Sequence, residues 1–495
     1  MDGDGVDARP ASDILRPGDT CWRIAHADRL RVIVDAADYF ATFRSVAQEA
    51  RHSLLLIGWD FDTRIELDRA DGHSEVPNRL GRFLSWLVRN RPNLQIHMLE
   101  WDVGLLLALG RGSTPLRVAD LVSSKRVRLQ LDHAHPAGAA HHQKIVVIDD
   151  VLAFCGGIDM TAGRWDTPAH QDHDPLRVSP TLGWRFPPWH DVTTVVDGDA
   201  ARALGDLARE RWRRACGEEV APPPPTAPIW PEGLVPTLED VEVGISRSAP
   251  DYDGRDGVRE IEALYLDIVK SARRHLYIES QYFASRRIAE AMAERLREPD
   301  GPEIVVVNPL SAQGWLEEEA MGSARAKLLR MVRRADRYGR FGLYTPVAKG
   351  GTPIYVHAKV VIMDDRLLRV GSSNLNNRSM GFDTECDLTV EVGPGDPDGA
   401  NRRRHIAALR ADLLAEHLGV RPDDVEVALA QAGGFLIGAI EALRSDGRSL
   451  VPFKPPELNA LEEEVLAENE LLDPERASRR WRPLSLPKRL PWSAA

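Results

Sequence analysis

Along this chain, short runs of consecutive apolar residues alternate with longer stretches in which apolar residues recur every three to four positions. In the first half the runs are Leu54–Asp60, Leu94–Trp101, Val127–Leu131 and Lys144–Ile148. In the second half they are His275–Phe283, Glu303–Asn308, Gly342–Thr345 and Lys359–Met363. Runs this short, bounded by polar residues and rich in Val, Ile and Leu, read as buried strands. The longer stretches are Tyr39–Ala50, Arg79–Arg89, Ala200–Ala215, Val258–Ala272, Ser285–Arg297 and Arg402–His417. Their spacing predicts helices with one face on a core.

The two halves share this order of elements, and a proline-rich segment separates them. Glu218–Gly233 reads EEVAPPPPTAPIWPEG, and four successive prolines continue neither a helix nor a central strand. The chain therefore divides into an N-terminal extension (1–35), a first repeat (36–217), a linker (218–236), a second repeat (237–420) and a C-terminal helical and tail region (421–495). A repeat of this length is a duplicated domain and not a solenoid. The fold class expected is α/β: two similar α/β sandwich halves related by pseudo-twofold symmetry, with an active site between them.

Composition narrows the function. The 495 residues are 43% apolar and carry a formal charge of −12, a field that repels polyanions and disfavours nucleic acid as a partner. The start, MDGDGVDARPASDIL, is acidic where a secretion signal is basic, and no 18-residue apolar run occurs. Four scattered cysteines, Cys21, Cys155, Cys216 and Cys386, read as reduced thiols. A cytoplasmic location is expected. Pro456–Leu472 is acidic and helical in pattern. Arg476, Arg479, Arg480, Arg482, Lys488 and Arg489 then mix with Trp481 and Trp492 in a stretch suited to anionic lipid.

One pattern occurs twice. His142-Gln143-Lys144 runs on to Asp149, and His357-Ala358-Lys359 runs on to Asp364; both read HxKxxxxD. A glycine follows each aspartate at the same offset, in Gly156-Gly157-Ile158-Asp159 and in Gly371-Ser372-Ser373-Asn374. Lysine is scarce in this arginine-rich chain, and chance produces such a pair below about once in ten thousand sequences. Keeping lysine at both places points to a compact ammonium as the group required. On a strand, His and Lys two residues apart share a face. Two such strands facing each other bring two histidines and two cations around one phosphodiester: a nucleophile, an acid for the leaving oxygen, and charge for the equatorial oxygens. His133, His135, His141, His170, His173 and His190 form no recognised metal-ligand spacing, so no metal and no cofactor is read.

The doubled motif resembles the phospholipase D superfamily over about Leu54–Gly419. Gly156–Thr167 (GGIDMTAGRWDT), Pro188–Asp191 (PWHD), Leu276–Phe283 (LYIESQYF) and Gly371–Glu385 (GSSNLNNRSMGFDTE) are similar to segments of phosphatidylcholine-type phospholipases D and their bacterial relatives. The resemblance implies a phospholipid substrate, a phosphohistidine intermediate, and hydrolysis or transfer to an alcohol. It assigns His142 as nucleophile and His357 as acid and base, although the near-symmetric sequence does not itself decide between them. It implies that Lys144, Lys359, Ser372 and Asn374 hold phosphate and that Glu385 orients a histidine, with Asp166 as its weaker counterpart. Asp149 and Asp364 complete the catalytic motif but are expected to brace the fold. Membrane contact, as a monomer at the surface, is expected from Gly104–Gly110 and Trp184–Trp189. A phosphatidyltransferase of cardiolipin synthase type and a phosphodiesterase acting on nucleic acid are the competing readings.

Overall fold

The computed structural model describes residues 14–69, 75–102, 124–180, 183–311 and 315–454. The first half supplies strands β1 (Arg23–Val34), β2 (Ser53–Gly58), β3 (Gln95–Trp101), β4 (Val127–Asp132), β5 (Ile145–Ile148), β6 (Leu152–Gly156), β7 (Trp189–His190) and β8 (Val192–Asp197). The second supplies β9 (Leu238–Ala249), β10 (Val258–Arg259), β11 (His275–Glu279), β12 (Glu303–Val307), β13 (Phe341–Val347), β14 (Tyr355–Val356), β15 (Val360–Met363), β16 (Leu367–Gly371), β17 (Glu385–Glu391) and β18 (Ser449–Pro452).

All but β7 and β14 join one sheet, in the order β18-β13-β12-β11-β15-β16-β17-β9-β1-β8-β6-β5-β2-β3-β4, with β10 paired to β9. Read outward from the antiparallel β1–β9 pair, the two halves repeat each other strand for strand: β8, β6, β5, β2, β3, β4 on one side and β17, β16, β15, β11, β12, β13 on the other. This is the pseudo-twofold arrangement that the duplicated motif required.

Strands β5 (IVVI) and β15 (VVIM) are buried on both faces, which explains their unbroken apolar sequence. Alternate side chains enter different cores. Ile145 and Val147, with Val360 and Ile362, join a cluster that runs across both halves and is covered by helices Gly198–Cys216 and Gly399–Leu418. Val146 and Ile148 face a core local to the first half, with Phe40, Phe43 and Leu84. Val361 and Met363 face the equivalent core of the second half, with Ile261, Leu264 and Met292. One apolar layer therefore spans the junction and fixes the halves against each other.

The N-terminal boundary differs from the sequence reading. Residues 23–34, assigned to an extension, form the strand at the centre of the sheet, pairing with β8 and β9. Charged residues interleave its apolar ones (RIAHADRLRVIV) and break the apolar run, although the burial alternates as a strand requires. Within the linker, Ile229, Trp230 and Leu234 pack on the first-half core, and Trp230 Nε1 donates to Leu234 O at 2.8 Å. Beyond residue 420, helices Pro422–Gln431 and Leu436–Leu443 lead to β18, which pairs with β13 at the sheet edge. The candidate lipid-contact segments 104–110 and 456–492 lie outside the described residues. Among those described, no helix is long and apolar enough to cross a membrane.

Candidate active site

His142 and His357 stand just before β5 and β15, where the backbone of each half hydrogen-bonds to the other. His142 N donates to Thr384 O at 3.0 Å, and His357 N donates to His190 O at 2.8 Å. The residue after Thr384 is Glu385; the residue after His190 is Asp191. Each histidine is thus stitched beside a carboxylate of the opposite half. His142 Nδ1 lies 2.9 Å from Glu385 Oε2, and His357 Nδ1 lies 2.6 Å from Asp191 Oδ2. Such a bond fixes the tautomer and leaves Nε2 of each ring for chemistry. Both rings line one cavity of about 260 Å³, together with Trp59, Asp159, Arg164, Gln281 and Asn374.

The lysines lie behind the rings. Lys144 Nζ donates to His142 O at 3.1 Å and sits 3.2 Å from Asp159 Oδ2; Lys359 Nζ donates to His357 O. Lys359 is fully buried. Burial and the Lys144 charge lower its pKa to about 7, against the pull of Asp191. The same forces act on the imidazoles. Burial, then Lys144 and Lys359, holds His142 well below its ordinary value; burial, then Lys359 and Arg164, does so for His357. Burial pushes Glu385 up to about 8 even though Ser372 and Ser379 donate to it, and it raises Asp191 as well. The protein therefore favours uncharged rings in the absence of an anion.

Several expected residues take other places. Asp166 touches neither catalytic ring: its Oδ2 accepts from His170 Nδ1 (2.9 Å), Arg177 Nη1 (3.0 Å) and Trp189 N (2.8 Å). The counterpart of Glu385 is Asp191. Sequence reasoning quoted its PWHD segment without giving the aspartate a role. A much longer loop separates Asp191 from its motif than separates Glu385 from its own, so equal spacing could not reveal the pair.

Ser372 is hydrogen-bonded to Glu385. Its Oγ donates to Glu385 Oε2 at 2.5 Å and accepts from Cys386 N, while Ser379 Oγ donates to Oε1 at 2.6 Å. Asn374 does line the cavity, and its Oδ1 has no hydrogen-bond partner.

Asp149 and Asp364 lie at the ends of β5 and β15 opposite the histidines. Asp149 accepts from the backbone N–H groups of Arg51, His52 and Ser53, and Asp364 from those of Arg273, Arg274 and His275. Both sit at left-handed φ, 49° and 53°, which aspartate tolerates better than most side chains. Gly157 has a local reason: a Cβ there would come within 2.3 Å of Asp191 Oδ1 and 3.3 Å of Lys359 Cδ. Trp189 is buried and stacks on Tyr355 at 4.5 Å under Arg164, so of the aromatic residues in 184–189 only Trp184 is strongly exposed, at 69%.

The family model described as phospholipase D matches residues 114–222, and that described as cardiolipin synthase, PLD-like domain, matches residues 265–394. The chain belongs to the phospholipase D superfamily. It is 24% identical to phospholipase D A of Dictyostelium discoideum, over 79% of this chain and 36% of that one. It is 25% identical to phospholipase D alpha 1 of Carica papaya, over 76% and 63%. The chain thus spans less than two thirds of these curated relatives. In fold it is similar to the crystal structure of phosphatidylserine synthase from Haemophilus influenzae Rd KW20, with a TM-score of 0.52, 11% identity, and coverage of 85% of this chain and 96% of that one.

Proposed function

We propose that the protein is a phospholipase D-type phosphodiesterase that transfers the phosphatidyl group of a glycerophospholipid to water or to a small alcohol. The observation that carries this reading is the pair of imidazoles facing one cavity, each held through Nδ1 by a carboxylate of the other half. Nε2 of His142 attacks phosphorus and displaces the head-group alcohol, which takes a proton from Nε2 of His357. Lys144, Lys359 and Asn374 hold the non-bridging oxygens. Water or a second alcohol then enters, gives its proton back to His357, and releases the phosphatidyl group from His142. The lysines that depress the proton affinity of His357 are offset once an anionic phosphate lies between them, so substrate arms its own general acid. Asp191 and Glu385 orient the rings and balance the imidazolium charge. The protein works as a monomer at a membrane surface reached from the cytoplasm, with Trp184 at the rim.

The experiment is to incubate the protein with mixed phospholipids at rising ethanol and to measure products by mass spectrometry. The expected result is phosphatidylethanol growing at the expense of phosphatidic acid, because a vacated head-group site admits either hydroxyl. Phosphatidic acid alone at every ethanol concentration would remove the covalent mechanism. Cleavage of DNA with no turnover of lipid would move the protein to the nuclease branch.

A further inference from the structure

A second buried constellation lies against the catalytic one, on the same junction between halves. Asp35 precedes helix Ala36–Ala47, His170 lies in the loop after Asp166, and His190 is on β7; all three belong to the first half. Glu416, on helix Gly399–Leu418, comes from the second. A carboxylate oxygen of Asp35, an imidazole nitrogen of each histidine and a carboxylate oxygen of Glu416 all lie within 4.8 Å of one another. Glu416 Oε1 is 2.9 Å from His170 Nε2 and 2.7 Å from His190 Nδ1. Asp35 Oδ2 is 3.4 Å from His170 Nε2, and Asp35 Oδ1 is 3.5 Å from His190 Nδ1. Ligands about 2.0–2.1 Å from a tetrahedral zinc stand roughly 3.3–3.4 Å apart, so these four groups already bracket that spacing.

Two further features favour an ion over a simple salt-bridge cluster. The outward nitrogen of each imidazole rests on its own carboxylate: His170 Nδ1 is 2.9 Å from Asp166 Oδ2, and His190 Nε2 is 2.8 Å from Glu279 Oε2. Glu279 is held in turn by Tyr277 Oη at 2.6 Å and His417 Nε2 at 3.0 Å. A carboxylate behind each histidine is the outer shell that metal-binding imidazoles use to fix tautomer and orientation. Independently, Asp35 Oδ2 accepts no hydrogen bond although Asp35 is completely buried and faces the cluster. An anionic oxygen in that position costs stability unless a cation meets it.

We propose that Asp35, His170, His190 and Glu416 form a structural site for a divalent transition metal of the zinc class, which clamps the two halves together. Two imidazoles with two carboxylates suit zinc and disfavour magnesium and calcium, which take oxygen ligands. The ion would stand in for the two protons now shared between the rings and the carboxylates, so the buried charge is conserved. The site takes no part in the chemistry at the paired histidines. It does reach them through the backbone: Asp35 N donates to Asp191 O at 2.8 Å, and His190 O accepts from His357 N at 2.8 Å. The clamp therefore positions Asp191 and His357.

The test uses the full chain, unfolded in chelator and refolded with or without zinc. Bound metal is read by elemental analysis, its ligands by X-ray absorption, and stability by thermal unfolding. The expected result is one zinc per chain, bound by nitrogen and oxygen only, with unfolding several degrees higher than in the metal-free protein. Asp35→Asn should keep the metal-free unfolding temperature and bind zinc at least about tenfold more weakly. The proposal is overturned if refolded wild-type protein takes up no zinc, if the absorption spectrum shows sulfur ligands, or if Asp35→Asn binds zinc as tightly as wild type. Should Asp35→Asn fail to fold, the wild-type uptake and ligand spectrum decide alone.

Discussion

At the scale of single residues, the chemistry rests on which nitrogen of each imidazole is free. Neutral histidine has one N–H and one lone pair. A carboxylate at Nδ1 keeps the proton there and the lone pair on Nε2, where His142 needs it. Removing that charge while keeping the shape should therefore cost turnover and not binding. Asp191→Asn is expected to lower kcat by roughly 10²–10⁴-fold with KM changed little, as for an orienting aspartate behind a catalytic histidine; steady-state kinetics on a soluble short-chain phospholipid measures this, and a kcat within threefold of wild type would remove Asp191 from its role. A second consequence concerns Lys359, whose pKa is lowered to about 7. Below that pH the ammonium is charged and attracts an anion, and above it the attraction fades. Glu385, which ionises near 8, adds its negative charge in the same direction. Sulfate keeps its charge throughout this range, so its inhibition constant should rise roughly tenfold between pH 6 and pH 9. A constant value across that range would mean that Lys359 is not part of the anion site.

At the scale of elements, the motif strands are held at both ends. One end carries the histidine; the other carries an aspartate whose carboxylate takes three backbone N–H groups that would otherwise be unpaired. Asp149→Ala should lower unfolding free energy by about 2–4 kcal/mol while kcat of the folded protein stays within about threefold of wild type. Urea midpoints with parallel kinetics check both halves of that expectation; a large loss of kcat at unchanged stability would return Asp149 to the catalytic set. These strands were legible in the sequence because they are buried on both faces, so nothing polar interrupts them. β1 and β9 were not, since each carries charged residues on its half-exposed side, although the pair joins the two halves. The same physics explains the site. His142, Lys144, His357, Lys359, Asn374 and Glu385 sit in or close behind repeated local patterns; His142, His357, Asn374 and Glu385 line the cavity, and the two lysines stand behind its histidines. Asp191 sits across the junction from the ring it serves, and no spacing along the chain encodes a contact made between halves. Asp35, His170, His190 and Glu416 gather for the same reason, from segments whose own sequences show no ligand spacing.

At the scale of the whole molecule, the site exists only while the halves are docked. Each histidine comes from one half and its carboxylate from the other, and the apolar cluster shared by both halves holds them in register. A chain with a net charge of −12 nonetheless places two buried lysines behind the two imidazoles that line the cavity, which concentrates positive potential there. The central claim is that this arrangement splits the reaction at a covalent intermediate on His142. If so, a chain with the second histidine weakened should accumulate that intermediate, because release needs His357 as base. The measurement is the intact mass of His357→Asn, quenched at neutral to alkaline pH within the first turnovers on a short-chain phosphatidyl-p-nitrophenol, whose leaving group departs without a proton, followed by peptide mapping. The expected result is a mass increase of one phosphatidyl group, confined to the peptide that contains His142 and absent from His142→Asn. Release of p-nitrophenol without any adduct, or an adduct carried by another residue, would contradict the account.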